Sequence, residues 1–351
     1  MAYTTINKST DYFNTKLYTG TGSSNAITGV GFQPDFTWIK NRDTTGNHAL
    51  FNAISGVTKY INSNTNYSEQ TSAQTLTAFG TDGFTVGTSA DLNGSGNDIV
   101  SWNWKAGTTG SGTTTGGGTG KAYSYSVNTT AGFSIVKWIG NGSAGHAIPH
   151  HLGVVPDMII LKTLDQVGDP LVYHSKNTTA PETEFLRLKS TNATQDEAAI
   201  WNDTAPTADY FYTGTEATVN GNNNNFIAYC YADKKGYSKF GSYKGNGNTD
   251  GSFIYTGFKP AFIMTKRTDG ASDWLICDNA RDTDNGVFKK LFPNTNGTED
   301  SYISFDFVSN GVKIRSDGNG HNANNAFFIY AAFAEEPLVA NVGASIPATA
   351  R

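Results

Sequence analysis

The chain has 351 residues, with 25 Lys and Arg against 30 Asp and Glu for a formal net charge of -5, and it is 13% aromatic but only 16% charged. Gly fills 39 positions and Asn 34, whereas Leu fills 13, a profile that excludes a helical bundle, a coiled coil and a disordered chain. The acidic balance excludes the basic footprint of a nucleic-acid or anionic-membrane binder.

Along the chain, the start Met1-Ala-Tyr-Thr-Thr-Ile-Asn-Lys-Ser9 has no apolar signal region, and no run of about 18 apolar residues follows. Synthesis in the cytoplasm and no membrane insertion are expected. One pattern then recurs three times. Tyr18-Thr-Gly20-Thr-Gly22, Trp138-Ile-Gly140-Asn-Gly142 and Tyr243-Lys-Gly245-Asn-Gly247 share the form aromatic-x-Gly-x-Gly. Each precedes a Gly-φ-x-Pro segment, at Pro34, Pro156 and Pro260, and a run that ends in Lys40, Lys162 or Lys266. At the far end, Asn93-Gly94, Asn220-Gly221 and Asn319-Gly320 precede apolar runs that close on Trp104, Tyr231 and Phe333. From the shared Pro to that last aromatic the distances are 70, 75 and 73 residues. Such agreement at both ends marks internal repeats.

The repeats divide the chain into 1–106, a Gly/Ser/Thr linker over 107–120, then 121–235, 236–337 and an extended C-terminal arm over 338–351. Short runs punctuated by turns predict an all-β fold of tandem β-sandwiches, of jelly-roll or concanavalin-like lectin type. A Pro that cannot donate to a ladder suits a strand entry or edge. In the last run of each repeat, Val100, Trp102 and Trp104, then Ile227, Tyr229 and Tyr231, then Ile329, Ala331 and Phe333 alternate onto one face. The Asn-Gly pairs signal hairpins, and the motif glycines supply positive φ or a close approach of backbones. The linker reads as flexible coil, which predicts a mobile first unit ahead of a rigid pair.

Residues shared by all copies point to fold, so Tyr18, Trp138 and Tyr243 read as core or turn-capping aromatics. Residues found in one copy are candidates for function. His146, His150 and His151 occur only in the second repeat, where an imidazole cluster could bind a ligand or a transition metal. They sit in a Gly-rich segment rather than on a helix, so solvated loop histidines are the expected reading and no metal or cofactor is predicted. Cys230 and Cys277 lie in apolar runs, as buried unpaired thiols would. Glycan hydrolysis needs two carboxylates at a set separation. Glu182 with Glu184, and the acidic stretch Asp278, Asp282 and Asp284, lack a partner and read as surface charge. No Gly-x-Ser-x-Gly elbow is present. A non-enzymatic protein is expected.

The runs Gly31-Phe-Gln-Pro-Asp-Phe-Thr-Trp-Ile-Lys-Asn-Arg42, Lys239-Phe-Gly-Ser-Tyr-Lys-Gly-Asn-Gly247, Tyr255-Thr-Gly-Phe-Lys-Pro-Ala-Phe-Ile-Met-Thr-Lys-Arg267 and Ala331-Ala-Phe-Ala-Glu-Glu-Pro337 resemble the repeated domain of a virion-protein family from tailed phages of marine bacteria. The resemblance covers the chain outside the linker. It implies a virion structural protein, a tail fibre or tail-associated adhesin that contacts host-surface polysaccharide, with other virion proteins as partners and a homo-oligomer, a trimer, as its assembly. A capsid or tail decoration protein is the alternative, and a polysaccharide depolymerase a third. No catalytic residue carries over from the family.

Overall fold

The last alternating run of each repeat becomes an interior strand of an antiparallel sheet in the computed structural model, which describes residues 4–337; the expected arm 338–351 lies outside them. In the first repeat the order across the sheet is Phe13–Thr19, Asp98–Trp104, Phe36–Asn41, Ala49–Asn52. The same order recurs as Phe133–Ile139, Asn225–Tyr231, Met158–Thr163, Leu171–His174, and as Ser238–Lys244, Phe327–Pro337, Phe258–Arg267, Leu275–Asp278. Register is preserved too: Trp102 faces Trp38, Tyr229 faces Ile160 and Ala331 faces Met264. A second, outer sheet covers each of these. It comprises Asn25–Thr28, Gly83–Val86 and Leu76–Gly80 in the first repeat and His146–Pro149 with Tyr210–Thr213 in the second. In the third it runs Phe253–Tyr255, Gly311–Ile314, Asp300–Val308, Val287–Lys290. The fold is all-β, built of sandwiches.

The inner sheets are buried on both faces. Val100, Trp102, Trp104, Ile227, Tyr229, Tyr231, Ile329, Ala331 and Phe333 all enter one apolar cluster common to the three repeats. Their alternate neighbours turn the other way, Ile99 into the first sandwich, Ala228 and Cys230 into the second, Phe328 and Ala332 into the third. At the centre the rings of Trp104, Tyr231 and Phe333 form a triangle with centroid separations of 6.2, 6.0 and 5.6 Å. These are near edge-to-face contacts, the favoured geometry for aromatic quadrupoles. The first repeat is therefore packed against the other two rather than mobile ahead of them.

Hydrogen bonds close the ring at equivalent positions. The Glu69 amide donates to Leu164 O at 2.8 Å, the Thr194 amide to Thr268 O at 2.9 Å, and the Glu299 amide to Arg42 O at 2.8 Å. Each repeat thus bonds to the next, and the third returns to the first. A polar side chain at the end of the fourth inner strand does the same. Asn52 Nδ2 donates to the Tyr229 hydroxyl at 3.3 Å, His174 Nε2 to Tyr330 O at 3.1 Å, and Trp102 Nε1 to Asp278 Oδ2 at 3.0 Å.

The linker is also ordered, contrary to its composition. Thr108–Thr113 pairs antiparallel with Ala122–Asn128, which lies against Phe133–Ile139, and Thr115–Gly116 pairs with the outer strand His146–Pro149. Gly110 faces Tyr125 and Gly112 faces Tyr123 across the ladder. A Cβ at these glycines would come within 2.6 and 2.8 Å of the two tyrosine hydroxyls. Glycine here makes room for the rings to lie over the strand.

With one shared core, urea is expected to unfold the three repeats in a single transition, with tryptophan fluorescence and far-UV circular dichroism coincident. Trp104→Ala should lower the unfolding free energy by about 3–5 kcal/mol. Early, separate loss of the first repeat would contradict this packing.

Candidate functional site

The aromatic-x-Gly-x-Gly motif builds a corner against a one-turn helix. The three helices are Ala90–Asn93, Ala217–Asn220 and Asn319–Asn322. A Cβ on Gly20, Gly140 or Gly245 would fall 2.1, 2.4 or 2.3 Å from the carbonyl oxygen just after the helix, on Gly94, Gly221 or Ala323. Gly22, Gly142 and Gly247 take φ of +70, +73 and +65, the left-handed region that glycine adopts without strain. The helix-terminal Asn93, Asn220 and Asn322 are fully buried. Their side-chain oxygens accept the amides of Thr21, Asn141 and Asn246 at 2.9, 3.0 and 3.0 Å. Tyr18 and Tyr243 cap the same corner, donating to Leu92 O and His321 O at 2.8 Å, while Trp138 packs on Phe211 and Phe226.

Two expectations are corrected at this corner. Asn93-Gly94 and Asn220-Gly221 end helices rather than turn hairpins, and the third counterpart is Asn322-Ala323, not Asn319-Gly320. The residue after the helix has φ of -56, -50 and -51 in the three copies, so its backbone does not demand glycine, although a Cβ on Gly94 or Gly221 would fall 2.7 or 2.8 Å from Ala90 O or Ala217 O. The prolines behave as expected of residues without a donor: Pro34 and Pro156 precede their strands, and Pro260 sits at a bulge.

A cleft opens beside this corner in the first and third repeats. The first cleft is about 100 Å³ and is lined by Asn47, Tyr60, Asn62, Gln70, Ser89 and Asp91. The other is about 240 Å³ and is lined by Ser272, Asp273, Lys290, Phe292, Tyr302 and His321. The isolated bridges Leu50–Ile61 and Ile276–Leu291 set the two in register, so Tyr60 corresponds to Lys290 and Asn62 to Phe292. Along the helix, Ser89 and Asp91 correspond to Gly318 and Gly320. The third-repeat cleft thus lacks the Asp91 side chain that lines the first.

A buried lysine stands at the equivalent position of each repeat, beside the cleft in the first and third. Lys40, Lys162 and Lys266 are all fully buried. Lys40 donates to Thr44 O at 3.2 Å, Lys162 to Thr163 O at 2.8 Å, and Lys266 to Ser272 O at 2.6 Å and Thr191 O at 3.0 Å. Burial pushes each down to about 8, partly offset by the carboxylates of Asp91, Asp169 and Asp273. The conserved-in-register lysine is thus a carbonyl-holding strut of the corner.

The histidines singled out by sequence do not converge. His146 lies on a strand and is fully buried: its Nδ1 donates to Asn220 Oδ1 at 2.9 Å, and the Thr114 hydroxyl donates to Nε2 at 2.6 Å. His150, also fully buried, accepts the Leu152 amide on Nδ1 at 3.2 Å and donates from Nε2 to Thr207 O at 3.1 Å. Only His151 is partly exposed, stacked 3.7 Å from the Tyr125 ring with Nε2 3.0 Å from the Tyr123 hydroxyl. Neither a solvated loop nor a shared ligand site describes the first two, because each ring nitrogen is already taken within the protein. Among the described residues no group of three His, Cys, Asp or Glu could hold a metal ion.

The acidic stretch is likewise not surface charge throughout. Asp278 is fully buried and accepts Arg281 Nε at 2.6 Å; Arg281 reaches Glu299 at 3.2 Å, and Glu299 accepts Arg42 at 2.8 Å. Asp282 accepts the amides of Phe288 and Lys289, both at 2.6 Å. Glu184 pairs with the Thr178 hydroxyl, and Glu182 lies in the turn Pro181–Thr183. Cys230 and Cys277 are buried and free, and burial pushes the Cys277 thiol up to about 12. Residues of the third-repeat cleft escaped the sequence reading. The signal was there in Gly318-Asn-Gly320 standing where the first copy has Ser89-Ala-Asp91.

Burial pushes His150, His174 and His321 down to about 4, and holds His48 well below the ordinary imidazole value. The fold keeps these rings neutral, whereas unfolded imidazoles bind protons from about pH 6.5 downward. Since the unfolded chain takes up more protons in that window, stability present above about pH 6.5 is lost as pH falls toward 4. The urea midpoint should therefore drop steadily between about pH 6.5 and 5. A flat profile there would contradict neutral buried rings.

A family model described as a domain of unknown function, DUF7483, matches residues 8–337. No curated protein and no solved structure matches the chain. One family unit thus spans all three repeats together with the ordered segment between the first two, and the chain belongs to the DUF7483 family.

Proposed function

We propose that this protein is a non-enzymatic virion component of a tailed phage, a tail-associated adhesin that contacts host-surface glycans. One observation carries the glycan-binding part: a cleft of the same construction recurs in the first and third repeats of one closed body. Two sites held at a constant separation suit a repetitive polymer, because binding at one raises the effective concentration at the other. Amide, hydroxyl and carboxylate groups line these clefts beside aromatic rings, a mixture that matches the polar rim and apolar face of a sugar. The virion assignment rests on the resemblance of the repeat sequences.

A second reading, a decoration protein docked on other virion subunits, is favoured by the outer edge strand Phe253–Tyr255. Phe253 and Tyr255 are 45% and 60% exposed, and this strand carries no lysine. The inner edge strands Phe13–Thr19 and Ser238–Lys244 carry Lys16, Lys239 and Lys244, which discourage strand pairing.

Purified protein should bind immobilised surface polysaccharide from the host bacterium and, added in excess, slow phage adsorption. Intact adsorption together with no polysaccharide binding would overturn the adhesin reading. Release of oligosaccharides during the incubation would overturn the non-enzymatic one.

A further inference from the structure

The two clefts are not equal in what they can hold. The first-repeat cleft is the smaller, at about 100 Å³. The third-repeat cleft, at about 240 Å³, has room for a six-membered sugar ring. At Gly320 the third repeat lacks the Asp91 side chain of the first, whereas at Gly318, opposite Ser89, the His321 ring already stands 2.7 Å from where a Cβ would lie. The second repeat also fills these two positions, with Glu216 and Thr218.

The walls of the larger cleft have a definite chemistry. Tyr302 is 53% exposed and Phe292 partly buried, so aromatic surface faces the opening. Lys290 Nζ lies 5.1 Å from the Tyr302 ring and 5.7 Å from that of Phe292, and 3.1 Å from Asp300. Asp273 is held through Oδ1 by Asn294 Nδ2 at 2.6 Å. The Ser272 hydroxyl donates to Gly320 O at 3.2 Å. Lys290 stands against Asp300, the buried Lys266 beside Asp273, and Asp317 also acts on His321, so the opening carries no excess of positive charge. His321 is uncharged at neutral pH. An acidic sugar gains nothing from such a field. An uncharged ring can lay its C–H face on the aromatic wall and its hydroxyls against Asp273 and the Lys290 ammonium.

We propose that the third-repeat cleft, between Tyr302 and Asp273, is the primary glycan site and takes one neutral pyranose unit of the polymer. This rests on the adhesin reading and assigns its ligand class. The first-repeat cleft is the subordinate contact.

The test uses the full chain, with host polysaccharide measured by biolayer interferometry. Methyl glycosides of glucose, galactose, mannose and glucuronic acid are compared by saturation-transfer NMR. Wild-type protein should bind at least one neutral glycoside in preference to the glucuronide. Tyr302→Ala and Gly320→Asp, which restores the first repeat's side chain, should each weaken polysaccharide binding about tenfold. Gln70→Ala, in the first cleft, should weaken it less than about twofold. Unchanged melting temperatures establish that the variants are folded; Tyr302 is exposed, so its truncation leaves the core intact. Polysaccharide binding that survives both third-repeat variants would overturn the site and leave the adhesin reading standing. Preference for the glucuronide would overturn the ligand class, and no binding of polysaccharide or glycoside by wild type would overturn both site and reading.

Discussion

The triangle of Trp104, Tyr231 and Phe333 is the contact on which the architecture turns. Each ring lies on the final strand of its repeat, so the chain delivers one large aromatic to the centre from each of three sandwiches. A single sandwich of this length has limited apolar surface to bury on its own. By turning a second face of each inner sheet inward, the molecule doubles the use of its central strands and makes the three repeats one cooperative body. The outer sheets are then free to carry loops, corners and clefts.

The seams are polar where the core is apolar. Asn52, His174 and Asp278 occupy one structural position yet reach the neighbouring repeat through an amide, an imidazole and a carboxylate. Such groups are costly to bury and add little net stability, but leaving one unpaired is more costly still. They therefore discriminate between correct and incorrect juxtaposition of repeats. The seam between third and first repeats, which joins Trp102 to Asp278 across 176 positions and Arg42 to Glu299 across 257, has Arg42, Asp278, Arg281 and Glu299 linked in a chain.

Much of the single-repeat fold was legible because its rules are local. The alternation in Val100-Ser101-Trp102-Asn103-Trp104 and the glycines at 20 and 22 report, respectively, one strand face and one tight corner. How sandwiches meet is a non-local fact, though a trace of it was visible: Phe226-Ile-Ala-Tyr-Cys-Tyr231 is apolar without interruption, as a strand buried on both faces must be. The linker misled because its glycines were weighed as freedom. Their meaning lies in Tyr123 and Tyr125, residues that only the pairing register brings opposite. The histidines misled for the converse reason. Proximity in sequence suggested a cluster, whereas a two-residue period on the strand His146–Pro149 and the turn after it send the three rings to different partners.

A ring of three separate identical subunits must repeat every feature three times. Here the threefold arrangement is written in one continuous chain, and its positions are released from that obligation. The pair Gly318 and Gly320 exists once, against Ser89 and Asp91 in one sibling and Glu216 and Thr218 in the other. One continuous chain thereby turns a repeated scaffold into a surface with an orientation: its three sides share a strand order but differ in chemistry, so the three rotational settings are not equivalent.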